Sequence, residues 1–217
     1  EPAISIKDFS NNWQTDNWSD LKNHVFKIAQ SLIHLGINPN DKISIYSYNR
    51  KEWSYVYAAT QMIRSVSVGV YHTCSPEEVN WIVSNSTSKI VFVGHNPSDN
   101  GEKDRMPINR ILPILDSLEV VEKVVLMEGV ESISHDKIVT WDEFISYGAN
   151  IEEEKIQSRL KKLNSDDTSA LIYTSGTTGN PKGVELTHGN WEFQLEALND
   201  ILKFKQGEKY VSWLPLA

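Results

Sequence analysis

The sequence predicts an α/β protein, doubly wound, with mostly parallel sheets flanked by helices. Three observations carry that prediction. Strand-like and helix-like stretches alternate along most of the chain, the pattern left by right-handed crossovers between parallel strands. Ile90-Val91-Phe92-Val93 and Val124-Val125-Leu126 are short, wholly apolar runs, which suit strands covered on both faces. The apolar run Ser169-Ala170-Leu171-Ile172-Tyr173 leads straight into a loop rich in glycine and hydroxyl side chains, and sites in such folds gather at the carboxyl ends of strands.

The first helix has Ser19 as its expected N-cap, Leu21, Val25, Ile28, Ala29, Leu32 and Leu35 at helical spacing, and Gly36 as its stop. Asp41-Lys42 opens a strand through Ile43, Ile45, Tyr46 and Tyr48. Asn49, with Glu52 three residues on, then reads as the cap of a helix through Trp53, Tyr57 and Met62. Val66 to Tyr71 is the next strand. Ser75-Pro76-Glu77-Glu78 combines a cap, a proline at the first helical position and a glutamate at the third, ahead of a buried face of Val79, Ile82 and Val83. A polar surface run from His95 to Asp104 precedes a helix expected around Ile108 to Leu118, and Thr140 with Glu143 caps a short helix through Phe144. The charged run Glu152-Glu153-Glu154, Lys155, Arg159, Lys161 and Lys162 reads as a solvated connecting helix. Trp191 to Leu202 is expected to be helical, and Tyr210 to Ala217 a strand running into a turn. The expected organisation is an amino-terminal α/β subdomain over 1–150, a charged connecting helix or linker over 151–165, and the start of a second α/β subdomain over 166–217.

With 217 residues the chain is long enough to bury a core. Its 29 acidic against 21 basic residues give a net charge of −8, and no basic run is dense enough to form a nucleic-acid surface. The one cysteine, Cys74, excludes an internal disulfide, and no second cysteine stands near it for a thiolate metal site. Nothing basic in the neighbouring sequence marks Cys74 as a low-pKa thiol. No stretch approaches the roughly 20 apolar residues of a membrane span, and Glu1-Pro2-Ala3-Ile4 lacks the character of a signal peptide. A cytoplasmic setting is expected, with small-molecule partners. Asn17-Trp18-Ser19 and Asn85-Ser86-Thr87 match the glycosylation tripeptide, without a secretory context to support them. Both ends of the sequence look cut.

The loop Tyr173-Thr174-Ser175-Gly176-Thr177-Thr178-Gly179-Asn180-Pro181-Lys182-Gly183 carries the chemistry. Its glycines free the backbone to turn amide N–H groups toward an anion, and its hydroxyls and lysine add donors and charge. The alternative of a Walker A loop fails on spacing. The fifth position after Gly176 is Pro181 rather than glycine, and Gly183 rather than Ser or Thr follows Lys182. A Gly/Ser/Thr loop can also be a plain hairpin connection. His188, in Thr187-His188-Gly189-Asn190 at the start of the following helix, is read as a satisfied polar contact rather than a catalytic base. Pro181 is read as stiffening the loop exit and Gly183 as permitting close packing, and the Trp and Tyr residues as core.

The whole string resembles the signature of the AMP-forming adenylate ligases, which include acyl-CoA synthetases, peptide-synthetase adenylation domains and luciferases. Leu35-Gly36-Ile37 through Asp41-Lys42-Ile43, Asn49 with Glu52-Trp53, and Tyr71 to Glu78 follow in the order seen in these enzymes. Val68-Gly69-Val70-Tyr71, Ser75-Pro76-Glu77 and Trp213-Leu214-Pro215-Leu216-Ala217 are most similar to the long-chain fatty acyl-CoA synthetase branch. The resemblance implies the amino-terminal part of an acyl-CoA synthetase-like fold, incomplete in this chain. It implies an enzyme that activates a carboxylate with ATP as acyl-AMP, releases pyrophosphate and transfers the acyl group to CoA, with Mg2+ as the ion of the full-length protein. Peripheral membrane association would be compatible with it. By resemblance Thr174, Ser175, Gly176, Thr177, Thr178 and Gly179 would wrap the β and γ phosphates, and Lys182 would add charge beside them. The family's remaining parts, among them its magnesium glutamate, ribose aspartate, acyl pocket and adenylation lysine, would lie beyond Ala217, so this chain alone would not complete the reaction.

Two positions depart from the family pattern. Glu185 stands where an apolar residue is usual, and Arg64-Ser65-Val66 stands where small residues, commonly Ala-Gly, are expected. An unpaired carboxylate there must reach solvent or a partner. Two other readings stay open: a different adenylate former acting on aryl or amino acids, and a non-catalytic fragment that retains the fold.

Overall fold

The computed structural model describes residues 1–7, 12–96, 106–174, 179–212, 214 and 216. Among these, an antiparallel hairpin of β1 (Pro2–Lys7) and β2 (Trp13–Asn17) precedes helix α1 (Trp18–His34). There follow β3 (Lys42–Ser47), α2 (Lys51–Met62), β4 (Val66–Val70), α3 (Pro76–Ser86), β5 (Ser88–Gly94) and α4 (Pro107–Ile111). The chain continues through β6 (Lys123–Leu126), β7 (Ile138–Val139), α5 (Trp141–Tyr147), α6 (Glu153–Leu160), β8 (Thr168–Thr174), β9 (Lys182–Thr187) and α7 (His188–Leu202).

Strands β3 to β9 form one sheet in the order β7-β6-β5-β3-β4-β8-β9, parallel throughout except for the antiparallel β8–β9 pair. The predicted α/β architecture, mostly parallel and flanked by helices, is therefore present. Alternating residues of each central strand face opposite layers, so the sheet has two cores. Ile43, Ile45, Ile90 and Phe92 pack against α1, α2, α5 and α6, while Val66, Val68, Val91 and Val93 pack against α3, α4 and the turn after it. Within the segment 166–217, β8 pairs with β4 and extends the sheet that residues 42–139 build.

Local chemistry explains the element boundaries, and it corrects several expectations. The cap of α1 is Asn17 rather than Ser19: its side chain accepts from the amides of Ser19 and Asp20, and Asp20 returns the bond to the Asn17 amide. Asn17, a matched glycosylation position, is thus spent on a helix start. At α2 the expected Asn49 cap is absent, since the cap position is Arg50 and no side chain bonds the first amides. Glu52 is buried and instead takes two bonds from the Arg50 guanidinium, at 2.8 and 2.6 Å. The Ser75 capping box and the Thr140 cap form as the sequence predicts. The helix expected over Ile108 to Leu118 is split: α4 ends at Ile111 and a 3-10 turn spans Leu112–Ser117, where Pro113 lacks the amide an α-helix would need. The connecting segment is less solvated than its charge suggests, because Ile156 of α6 is fully buried and Arg159 donates to the Ile37 carbonyl at 2.7 Å. Described residues of Tyr210 to Ala217 form no strand.

Candidate functional site

Strand β8 carries the chain to the carboxyl edge of the sheet and β9 brings it back. Thr174 is the Cα partner of Lys182, and Tyr173 of Gly183. The loop is therefore a hairpin connection spanning 175–181, and it returns to a strand before reaching the helix that was expected to follow it directly. β9 escaped the sequence reading because it is a short edge strand, exposed over Lys182 to Glu185, whose alternation is limited to Val184 and Leu186. Of the predicted phosphate contacts, Thr174, Gly179 and Lys182 fall among the described residues, whereas Ser175, Gly176, Thr177 and Thr178 lie outside them. Directly opposite residues of an antiparallel pair project to the same side with Cβ atoms about 4.5–5.5 Å apart. The Thr174 hydroxyl and the Lys182 ammonium, both exposed, thus share the mouth of the loop. Gly179 has φ +95°, a backbone that a side chain would strain.

Helix α3 holds this hairpin at two points one turn apart. The Trp81 indole donates to the Pro181 carbonyl at 2.9 Å, and the Tyr173 hydroxyl donates to the Asn85 side-chain oxygen at 2.6 Å. A Cβ on Gly183 would lie 3.0 Å from the Tyr173 ring, so glycine is what lets β9 close on that ring. Trp81 and Asn85 are site-positioning residues that sequence reasoning missed. A usable signal existed for Trp81, which falls off the Val79, Ile82, Val83 face and is 37% exposed.

The root of β8 is fixed by polar bonds. Ser169 donates to the Gln61 side-chain oxygen at 2.6 Å while Gln61 donates back to the Ser169 carbonyl at 3.3 Å. Arg64 donates twice to Asp167, at 2.9 and 3.1 Å, and these bonds hold the Asp167 carboxyl below the usual carboxylate range. The backbone at Arg64 has φ +60°, the left-handed region that glycine enters at least cost. Glu185 lies exposed on β9, so its carboxylate reaches water.

His188 lies at the far end of the hairpin from the loop. Thr187 pairs with Thr168, and the strand between them and Thr174 is about 20 Å long at ~3.3 Å per residue. The His188 ring Nε2 is buried and finds no hydrogen-bond partner among the described residues, and burial lowers the imidazole pKa against the pull of the Asp167 charge. Cys74 does have a cation nearby, Arg110, which donates to its carbonyl at 2.8 Å, but burial dominates and pushes the thiol up to about 11. Among the described residues no three His, Cys, Asp or Glu side chains gather as a metal site, so no magnesium ligand is assigned to them. Beside β8, on the α2 side of the sheet, an apolar pocket of about 440 Å³ opens between Trp53, Tyr57, Ile172, Trp191 and Leu216.

Comparison with known proteins gives this geometry its setting. The sequence pattern of the AMP-binding enzyme family matches residues 2–217. The chain belongs to that family. It is 29% identical over 208 residues to the long-chain-fatty-acid–CoA ligase FadD15 of Mycobacterium bovis, covering 94% of this chain and 32% of that protein. It is 31% identical over 192 residues to the peroxisomal long chain acyl-CoA synthetase 6 of Arabidopsis thaliana, covering 88% of this chain and 26% of that protein. The chain therefore spans about a quarter to a third of the length of these curated relatives. A solved structure from Rhodopseudomonas palustris, provisionally assigned as a long-chain-fatty-acid CoA ligase, superposes with a TM-score of 0.72 at 16% identity, over 94% of this chain and 46% of that one. The anthranilate CoA ligase AuaEII, solved with anthranoyl-AMP, superposes with a TM-score of 0.65 at 19% identity, over 86% of this chain and 33% of that one. At these identities the two structures establish the shared fold alone. No described helix is long and apolar enough to cross a membrane.

Proposed function

We propose that this chain is the amino-terminal portion of an AMP-forming, long-chain fatty acid–CoA ligase. The observation that carries the reading is the pairing of Thr174 with Lys182 at the carboxyl edge of the sheet, across a loop whose sequence is that of the AMP-binding family. The similarity to long-chain fatty acyl-CoA ligases over nearly the whole chain supports the substrate class.

In the proposed reaction a carboxylate oxygen attacks the α-phosphorus of ATP, the bond to pyrophosphate breaks, and acyl-AMP forms. The thiol of CoA then attacks the acyl carbon and AMP leaves. The difficulty of the first step is electrostatic, since two anions approach while charge grows on the leaving pyrophosphate. Preorganised donors aimed at that charge are the remedy open to this chain. Thr174, Ser175, Gly176, Thr177, Thr178 and Gly179 would wrap the β and γ phosphates with hydroxyls and amides, and Lys182 would add a positive charge from the opposite strand. A magnesium ion, when bound, would neutralise phosphate charge; its ligands are not assigned to the described residues.

The test is pyrophosphate exchange into ATP by the full-length protein, supplied in turn with palmitate, acetate and an aryl acid. Exchange that depends on palmitate is expected. Response only to the aryl acid would move the protein to the aryl-activating branch, and no response to any acid would leave a non-catalytic member of the fold. Each charge-assisted hydrogen bond is worth about 1.5–3 kcal/mol, so Lys182→Ala with Thr177→Ala should lower the exchange rate about 100-fold or more. An unchanged rate in that double variant would remove the loop from the mechanism.

A further inference from the structure

Asn49 stands at the carboxyl end of β3, where the spacing to Glu52 makes it look like a helix cap. Its side chain does something else. The amide nitrogen donates to the Leu214 carbonyl at 2.7 Å, and the amide oxygen accepts from the Leu216 backbone N–H at 2.9 Å. A carboxamide presents one donor and one acceptor side by side, as a peptide group does, and Asn49 uses both on alternate residues of a segment 165 and 167 positions away. It thus acts as one link of a missing strand. Leu216, held by its own backbone in this way, contributes a wall to the apolar pocket beside β8, together with Trp53, Tyr57 and Ile172.

The attachment matters because, among the described residues, few other contacts hold that end of the chain. Tyr210, Val211 and Leu214 are 65%, 86% and 58% exposed, and no helix or strand is assigned after Leu202 among the described residues. Asn49 and the phosphate loop stand at the same edge of the sheet, because β3, β4 and β8 run parallel. Asn49 is free for this task because Glu52, which would complete a capping box with it, is bound to Arg50.

We propose that Asn49 is a positioning residue that clamps Leu214 and Leu216 to the carboxyl edge of the sheet, beside the proposed phosphate loop. The catalytic part of this proposal rests on the function proposed above; the clamp itself does not. Its reactive consequence is geometric: misplacing a wall of a reacting site by about 1 Å can cost on the order of 100-fold in rate.

The test uses the full-length protein and three variants, Asn49→Leu, Asn49→Asp and Asn49→Gln. Asn49→Leu removes both bonds, and Asn49→Asp keeps the acceptor for Leu216 while turning a carboxylate toward the Leu214 carbonyl. Asn49→Gln retains the amide on a longer stem. Hydrogen–deuterium exchange is expected to show faster exchange confined to the 210–217 peptide in the Leu variant, with Tm within a few degrees of wild type. In palmitate-dependent pyrophosphate exchange, kcat is expected to fall about 10- to 100-fold in the Leu and Asp variants, with the KM for ATP changed less than threefold and partial recovery in the Gln variant. Unchanged protection of residues 210–217 in Asn49→Leu overturns the clamp. Faster exchange with an unchanged kcat overturns the positioning role. If the wild-type protein shows no exchange of pyrophosphate with any acid, the functional reading fails by itself, and the hydrogen-exchange result still decides the clamp.

Discussion

Helices α1 and α7 begin in the same way and end up doing different work. Each opens with a complete capping box, Asn17 with Asp20 in one and Thr187 with Asn190 in the other, and the two run for 17 and 15 residues. Yet α1 buries Val25, Ile28, Ala29, Ser31 and Leu32, whereas none of the described residues of α7 is buried. Phe193 and Ile201 of α7 are 72% and 76% exposed. Capping tells a chain where a helix starts, while packing decides what that helix contributes to the fold. An isolated helix of this length is marginal in water, so within these 217 residues α7 leans on its caps where α1 leans on the core. The same division runs through the molecule. The sheet, β8 included, and its flanking helices carry two apolar cores, while among the described residues the loop exit at Pro181 and the segment at Leu214 and Leu216 are held by a few directed polar bonds.

The comparison breaks first at the core. Ile28→Ala in α1 should lower the stability of the chain by about 2–5 kcal/mol in denaturant unfolding. Phe193→Ala in α7 should change it by less than about 0.5 kcal/mol. Equal costs would mean that α7 is packed after all. The caps sharpen the contrast, since both are complete. Asn17→Ala and Thr187→Ala should each cost about 1 kcal/mol of local helix stability. For α1 that loss should appear in global unfolding, and for α7 in faster amide exchange of residues 188–202 at an unchanged global midpoint. A smaller effect concerns pH. Burial holds the His188 imidazole below its ordinary pKa, with Asp167 pulling weakly the other way. The folded state therefore takes up its proton less readily than the unfolded chain, whose imidazole titrates near ~6.5. Stability should be full above that pH and decline as pH falls through it. Burial, aided by the neighbouring Arg50 charge, depresses His95 in the same sense, so His188→Gln should flatten only part of the decline in a melting series from pH 7.5 to 5.5. A decline as steep as wild type in that variant would remove His188 from the account.

The parallel core was legible because its strands are apolar throughout and its helices carry periodic faces, and burial leaves both marks in composition. Ile90 to Val93 and the Ser75 box needed no further context. The family was legible for another reason, since Tyr173 to Gly183 is an eleven-residue string with few other uses, and the AMP-binding family pattern matches residues 2–217. Elements without a buried face were not: β9 and the β1–β2 hairpin contain no buried residue, and their apolar alternation, Val184 with Leu186 and Ile4 with Ile6, is too brief to announce a strand. Asn49 and Glu52 illustrate the commonest failure. Their spacing is that of a cap, and a tertiary competitor, Arg50, takes the glutamate. Trp81 and Asn85 could not be placed in the site because their partners, Pro181 and Tyr173, are 100 and 88 residues away.

The register that sets Thr174 against Lys182 has a consequence for how a nucleotide would be received. Residues 175–181 run between two points that the β8–β9 pairing holds together, so in topology they form a ring rather than a strap. The entropy of bringing the ring's ends together is spent when the sheet folds, before any ligand arrives. If the proposed function holds, an anion bound there would meet a connection whose two ends are already joined, and ordering a loop is one of the main costs of binding. Lengthening the ring would erode this slowly, because closure entropy grows only with the logarithm of loop length, whereas unzipping β9 from β8 would forfeit it at once.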